Sequence, residues 1–403
     1  MRILIIAHIG ETFGHLARGL SIAKQLSIHG CNIEIASAPR SAEVVARAGL
    51  QCDFHPVRWD WSHNSCELEG LSSKFLSCIL DTTKDLMEIV KARSPDFILS
   101  MPGFASTQIA RHLGIPHASV IHGTHLAPFI KLEDATDTEL YILEMSKKVC
   151  LGPLNDAFHV LNRTFGLPWL DYKSYIQSEM IFIPQPGLPF GKFDNMLVTN
   201  FVRASLGPTF DGDQAELKGC CYVTFGSGNP CDITRVILLA REVFPKVIAN
   251  TGTLNIGPFP KDVITRPFIA SSSLAGRVAA VISHGGIGTV GTFAEAGTPQ
   301  LIIPTELDQA NMAIHASRTG VAKHVGLESF LYRSRLGRYL SDFRDDELLR
   351  AMDQIRNQPA STSVVHSTGA EEIASRILNC FAEAPSSLPP FKKESSLGTH
   401  LPR

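Results

Sequence analysis

The chain has 403 residues, 44% of them apolar, with 37 Lys+Arg against 39 Asp+Glu for a formal charge of −2. That length allows two or three domains of roughly 100–200 residues, each able to bury a core, and the apolar content excludes a disordered chain. A near-neutral charge with no basic block excludes a nucleic-acid footprint, so partners have to be read from motifs.

Arg2-Ile3-Leu4-Ile5-Ile6-Ala7 reads as a first β-strand rather than a signal peptide, because the apolar run is short and enters a polar, Gly-containing turn. Leu16, Leu20, Ala23 and Leu26 then recur at helical spacing, and Gly30 is placed to end the helix. Further short apolar runs at Ile33–Ala36, Phe97–Leu99 and Ala118–Ile121 alternate with longer amphipathic stretches. That alternation predicts βα units and parallel sheets. Residues 58–80 and 122–150 are long for connections and read equally well as recognition loops or surface insertions.

The same syntax restarts near residue 220. Tyr222-Val223-Thr224-Phe225 enters Gly226-Ser227-Gly228, a helical stretch follows over 233–243, and strands recur at Val278–Ile282 and Leu301–Ile303. Between the halves, Gly207-Pro208 and Asp211-Gly212-Asp213 without any period mark a linker. The expected organisation is α/β, with two Rossmann-like doubly wound parallel-sheet domains facing across a cleft. It comprises residues 1–200, a linker over 201–218, a second unit over 219–384 and a disordered tail over 385–403. The nine cysteines form no CxxC pair, which makes a reducing cytoplasm the simplest location. No apolar stretch reaches 18 residues, so no transmembrane segment is expected. Composition says nothing about oligomeric state.

The most informative stretch is Val278-Ala279-Ala280-Val281-Ile282-Ser283-His284-Gly285-Gly286-Ile287-Gly288-Thr289. A strand feeds a glycine turn that opens a helix, where free N–H groups and the helix dipole hold phosphate and glycines let the backbone come close. His284 adds a side-chain donor. Glu295 lies seven residues after Gly288 on the same helical face, about 10 Å along the axis, where a carboxylate suits a ribose diol. The strand ending at Pro304 delivers Asp308, Gln309 and Asn311 to the same edge, an acid and amides suited to sugar hydroxyls. A competing reading uses Gly286-x-Gly288-x-x-Gly291 as a dinucleotide fingerprint with Glu306 as its acid, which predicts an NAD-type dehydrogenase. It leaves His284, Glu295 and the Asp308-Gln309 pair without work.

Together, His284-Gly-Gly-Ile-Gly-Thr289, Glu295-Ala296, Gly297-x-Pro299, Pro304 and Asp308-Gln309-x-Asn311 resemble the donor signature of GT-B nucleotide-sugar glycosyltransferases, especially UDP-glycosyltransferases that modify small molecules and lipids. Gly14-His15 after the first strand, Tyr222–Ser227 and Pro95-Asp96 extend the resemblance over most of the chain. It implies an acceptor-binding first half and a donor-binding second half. Gly226 and Ser227 would line the nucleotide site. His284, Gly285, Gly286, Ile287, Gly288 and Thr289 would grip the diphosphate, Glu295 the ribose, and Asp308 with Gln309 the donor sugar. His15 would be the general base of an inverting transfer, since an unperturbed imidazole titrates at about 6.5.

Glucose from UDP-glucose is the first expectation for the sugar, with UDP-N-acetylglucosamine and a dTDP-deoxysugar as alternatives. The partners are thus a nucleotide-sugar donor and a small-molecule or lipid acceptor, the latter implying attachment to a membrane surface. His8, Glu11, Met101 and His122 are the candidate acceptor contacts. No cofactor and no metal are expected: Asp211-Gly-Asp213 sits in the linker, and His122 with His125 lacks a third ligand. Two positions depart from the family pattern. Arg18 stands where Pro is common, and Met101 stands where many members place the Asp that orients the histidine. The incomplete dyad leaves a nucleotide-sugar hydrolase or epimerase, or a catalytically silent partner protein, as alternative functions.

Overall fold

The computed structural model describes residues 1–7, 13–58, 66–67, 70–71, 73–101, 105–121, 123–172, 179–185, 195–202, 208–213, 217–226, 232–252, 254, 256–327, 344–359 and 368–382. The expected tail over 385–403 lies outside them.

The first half opens with β1 (Arg2–Ala7), α1 (Gly14–Ile28), β2 (Asn32–Ser37), α2 (Ala42–Arg47) and β3 (Asp53–Pro56). A short antiparallel pair, β4 (Cys66–Glu67) and β5 (Gly70–Leu71), precedes α3 (Ser73–Arg93) and β6 (Phe97–Met101). Next come α4 (Ser106–Leu113), β7 (His117–Val120), α5 (Gly123–Leu126), α6 (Asp137–Leu151), α7 (Pro153–Phe165), β8 (Met180–Ile183) and β9 (Met196–Val198). The seven-stranded sheet has the order β3-β2-β1-β6-β7-β8-β9, with every pairing parallel. Residues 3–7 are all buried, as expected where helices cover both faces of a parallel sheet. Gly30, at φ 78, ends the α1 turn as its position in the sequence predicts. Gly19 lets α1 sit on β1, for a Cβ there would lie 3.3 Å from Ile5 Cγ2 and 3.6 Å from Met101 Cγ.

The second half runs β10 (Cys220–Thr224), α8 (Ile233–Val243), β11 (Lys246–Asn250), β12 (Val263–Arg266), β13 (Ala280–Ser283), α9 (Ile287–Glu295) and β14 (Gln300–Ile302). It continues through α10 (Leu307–Arg318), β15 (Lys323–His324), α11 (Asp345–Arg356) and α12 (Gly369–Ala382). Its six strands order as β12-β11-β10-β13-β14-β15, again all parallel. The strand order reverses between β1 and β6 and between β10 and β13. At such switch points the helices leave to opposite faces and open a crevice beyond the strand ends.

Two features tie the halves together. Helix α12 returns to the first half: Ala370, Ile373, Ala374 and Ile377 join the core formed by β1, α1 and β6. The chain crosses back beside the place where it crossed over, since Asn200 N and Nδ2 donate to Glu372 Oε2 and Oε1 at 2.9 and 2.7 Å. Gly369 is required there, because a Cβ would fall 1.9 Å from Asn200 O. The unit expected over 219–384 therefore sends its last helix into the other core, where burial of its apolar stripe outweighs sequence proximity. Helix α10 is the second tie. Ile142 of α6 packs in one apolar cluster with Val290, Ala310 and Met312, and Arg318 donates to both oxygens of Glu139 at 2.7 Å and to the carbonyls of Glu133 and Asp134. Within the expected linker, Phe201 is buried and Arg277 donates to the Gly212 carbonyl, so Asp211-Gly212-Asp213 is pinned to the second half.

Candidate active site

Helices α1 and α9 each follow a central strand, β1 and β13, and their first turns meet in a cavity of about 210 Å³ between the halves. On the second half's wall, Gly286 is the N-cap of α9 and no side chain caps it. The first-turn amides of such a helix lack intrahelical partners and attract an anion. Gly285, Gly286, Ile287, Gly288 and Thr289 all line the cavity, as does Gly226.

The glycines have individual reasons. Gly226, at φ 73, and Gly286 enclose the His284 ring: a Cβ would lie 3.1 Å from Cε1 at the first and 2.7 Å from Nε2 at the second. Gly285, at φ 89, would press a Cβ to 2.7 Å from Ile302 Cγ2. His284 is 7% exposed. Burial lowers its pKa to about 4 against the opposing effect of the Thr224 backbone, so at neutral pH it offers an uncharged N–H.

The dinucleotide reading loses its footing here. A Cβ at Gly291 would meet Phe201 Cβ at 2.6 Å, so this third glycine admits the linker rather than a close strand packing. Glu306 lines the cavity, but its carboxylate is committed to its own helix, capping the first turn and accepting from Gln309 Nε2 at 3.3 Å.

At the start of α10, Asp308 and Gln309 line the cavity. Burial raises the Asp308 carboxyl, while the Gln309 amide at 2.8 Å and the charge of Arg18 pull it down. Gln309 spends its carboxamide oxygen on Thr305 N, Thr305 Oγ1 and Glu306 N at 2.9, 2.7 and 3.2 Å. It thereby shapes the turn that presents Asp308. Asn311 is drawn away from the cavity, donating to Ser146 Oγ at 2.7 Å and Leu307 O at 2.8 Å. Glu295 is buried at the far end of α9 and lies outside the cavity lining, because two turns of helix carry it past the rim.

On the first half's wall stand Phe13, Gly14, His15 and Arg18. Arg18 Nη2 donates to His15 Nδ1 at 2.8 Å. Arg18 is 4% exposed, and its pKa falls to about 10 through burial, opposed by Asp308 across the cavity. It remains a cation at neutral pH, and its charge reinforces burial in lowering His125 to about 4. Arg18 was legible as more than a departure from a motif, since residues three apart on a helix share a face.

Met101 is not an acceptor contact. It is fully buried in the first core under α1, because the end of β6 pairs with Ala7 beneath the helix rather than beside the cavity. His8, Glu11, His122 and Ser227 lie outside the described residues. No described helix is long and apolar enough to cross a membrane.

No family model matches the chain. It is 19% identical to an uncharacterised UDP-glucosyltransferase, YojK, of Bacillus subtilis over 81% of this chain and 85% of that protein. A more local match, 38% identical, joins it to vancomycin aglycone glucosyltransferase of Amycolatopsis orientalis over 25% of this chain and 26% of that one. Among solved structures, the glycosyltransferase of kitacinnamycin superposes with a TM-score of 0.69 at 15% identity, over 94% of this chain and 98% of the other. The calicheamicin glycosyltransferase CalG4 gives 0.64 at 18% identity, over 95% and 98%. The paired parallel sheets are therefore the GT-B fold.

Proposed function

We propose that this chain, a UDP-glycosyltransferase of the GT-B fold, moves a sugar, glucose first, from its UDP conjugate to a hydroxyl of a small-molecule or lipid acceptor, inverting the anomeric carbon. One observation carries the reading: the uncapped N-terminus of α9 and the imidazole of His15 stand on opposite walls of one cavity. The diphosphate would lie on the amides of residues 287–289 with uncharged His284 as an added donor. Asp308 would accept from sugar hydroxyls, in the turn that Gln309 braces. Glu295 would meet the ribose where the nucleoside runs out along α9. The acceptor oxygen would attack the anomeric carbon, its proton passing to His15 while the bond to the diphosphate breaks. Donors fixed where negative charge grows stabilise that step without reorganising.

The test is UDP binding followed by transfer from UDP-glucose to a panel of hydroxyl acceptors. A ligand that binds only the folded state raises the melting temperature, so UDP should stabilise the chain. His15→Ala should keep that stabilisation and lose about 10²–10⁴-fold in transfer, the usual contribution of a general base. Transfer at the parental rate would remove His15 from that role. Glu295→Ala should weaken UDP binding, and unchanged affinity would remove the ribose assignment. A second reading, a donor-binding partner without turnover, draws on Met101 in the core where an orienting acid is expected. UDP binding with no transfer to any acceptor would favour it.

A further inference from the structure

Arg18 sets a condition on that chemistry. A guanidinium has only N–H donors, so the 2.8 Å contact runs one way, from Arg18 Nη2 to a lone pair on His15 Nδ1. The neutral imidazole then carries its single proton on Nε2. In this state neither ring nitrogen can receive a proton from an acceptor hydroxyl. One lone pair is already engaged, and the other nitrogen is already protonated.

The same guanidinium is a buried cation. Its hydrogen bond goes to a neutral ring, and the carboxylate acting on it, Asp308, belongs to the opposite wall. Such a charge is incompletely compensated, and an anion reaching the cavity gains by meeting it. The start of α9 on that wall attracts the same kind of anion.

Resting on the donor-site reading above, we propose that Arg18 is a positioning residue that masks His15. It holds His15 as the Nε2–H tautomer while the cavity contains no anion, and a nucleotide diphosphate on α9 draws the guanidinium away and uncovers the lone pair. The donor would then have to bind before His15 can accept a proton.

The test is side-chain nitrogen NMR of the full chain labelled with ¹⁵N-histidine, in which protonated and lone-pair ring nitrogens resonate far apart. His15 is picked out of the fifteen histidines by its loss in His15→Gln. Without ligand, the parent should show Nδ1 unprotonated and Nε2 protonated, and saturating UDP should shift the Nδ1 signal. Arg18→Met should show a mixture of tautomers without ligand and no response to UDP. A protonated Nδ1 in the parent, or a UDP-stabilised parent whose His15 signals stay fixed, would overturn the mask. If UDP fails to stabilise the parent in the same samples, the donor-site reading fails instead. The ligand-free comparison of parent and Arg18→Met then still decides whether Arg18 fixes the tautomer, and the unmutated arm does not depend on the variant folding.

Discussion

Ile373→Ala tests whether the last helix belongs to the first half. Ile373 and Ile377 are fully buried in the core shared by β1, α1 and β6, and Phe381 meets Phe97 edge-on with centroids 5.5 Å apart. Shortening a buried Ile to Ala costs about 2–5 kcal/mol, the transfer free energy of the lost methyl groups plus the cavity left behind. With about 3 kcal/mol lost, and tenfold for every 1.4 kcal/mol, amides that exchange only when this core opens should exchange roughly 100-fold faster. Hydrogen exchange read by peptide should place that loss in segments 2–28 and 97–101. Segments 220–250 and 280–302, whose core is separate, should change little. Ile373→Val should cost only about 0.5–1.5 kcal/mol and show the same pattern more weakly. Faster exchange confined to 220–302 would refute the assignment of this helix to the first core.

Three further outcomes follow from the site and the halves' contact. Gly286→Ala places a methyl group 2.7 Å from His284 Nε2. Overpacking of that kind costs about 1–3 kcal/mol, so UDP affinity measured by calorimetry should fall at least several-fold, and an unchanged affinity would separate His284 from the donor site. Burial lowers the pKa values of His117, His125 and His284 to about 3, 4 and 4 from an ordinary 6.5. Stability from such groups is complete above pH 6.5 and lost as pH falls toward the folded values, because the unfolded chain binds protons first. Between pH 8 and 5.5 each contributes a loss of about 1.4 kcal/mol, about 4 in sum. The raised carboxyls of Asp308 and Glu179 act in the opposite sense, favouring the fold as they take up protons. Urea midpoints that stay flat over this range would contradict the burial argument. Arg318→Ala removes a two-pronged contact to Glu139 and two carbonyl bonds across the halves. It should cost about 1–3 kcal/mol, more than an ordinary surface pair, and a melting temperature within error of the parent would show that the apolar contact of Ile142 suffices alone.

The sequence by itself determined the strand–glycine turn–helix units at 2–28 and 280–295, the parallel sheets and the placing of His284 and Asp308. These rest on short-range physics, namely continuous apolar strands, helical period and glycines where a backbone must turn or approach. Even there, glycine identity alone did not say what each glycine admits. Gly286 makes room for a histidine ring and Gly291 for the linker's Phe201, and only the packed structure distinguishes them. The same local spacing that placed Glu295 on the face of Gly288 could not tell that its side chain would be buried beyond the cavity rim.

Tertiary contact also decided what no local pattern encodes. Met101 disappears beneath α1 because β6 pairs beside β1. Asn311 turns to Ser146, 165 residues away in sequence. The last helix leaves its own sheet for a core begun by residue 3, since an apolar stripe is stabilised wherever it finds a complementary face. Arg18 lies between these cases: its closeness to His15 is a property of helical spacing, while its burial opposite Asp308 exists only once the two halves meet.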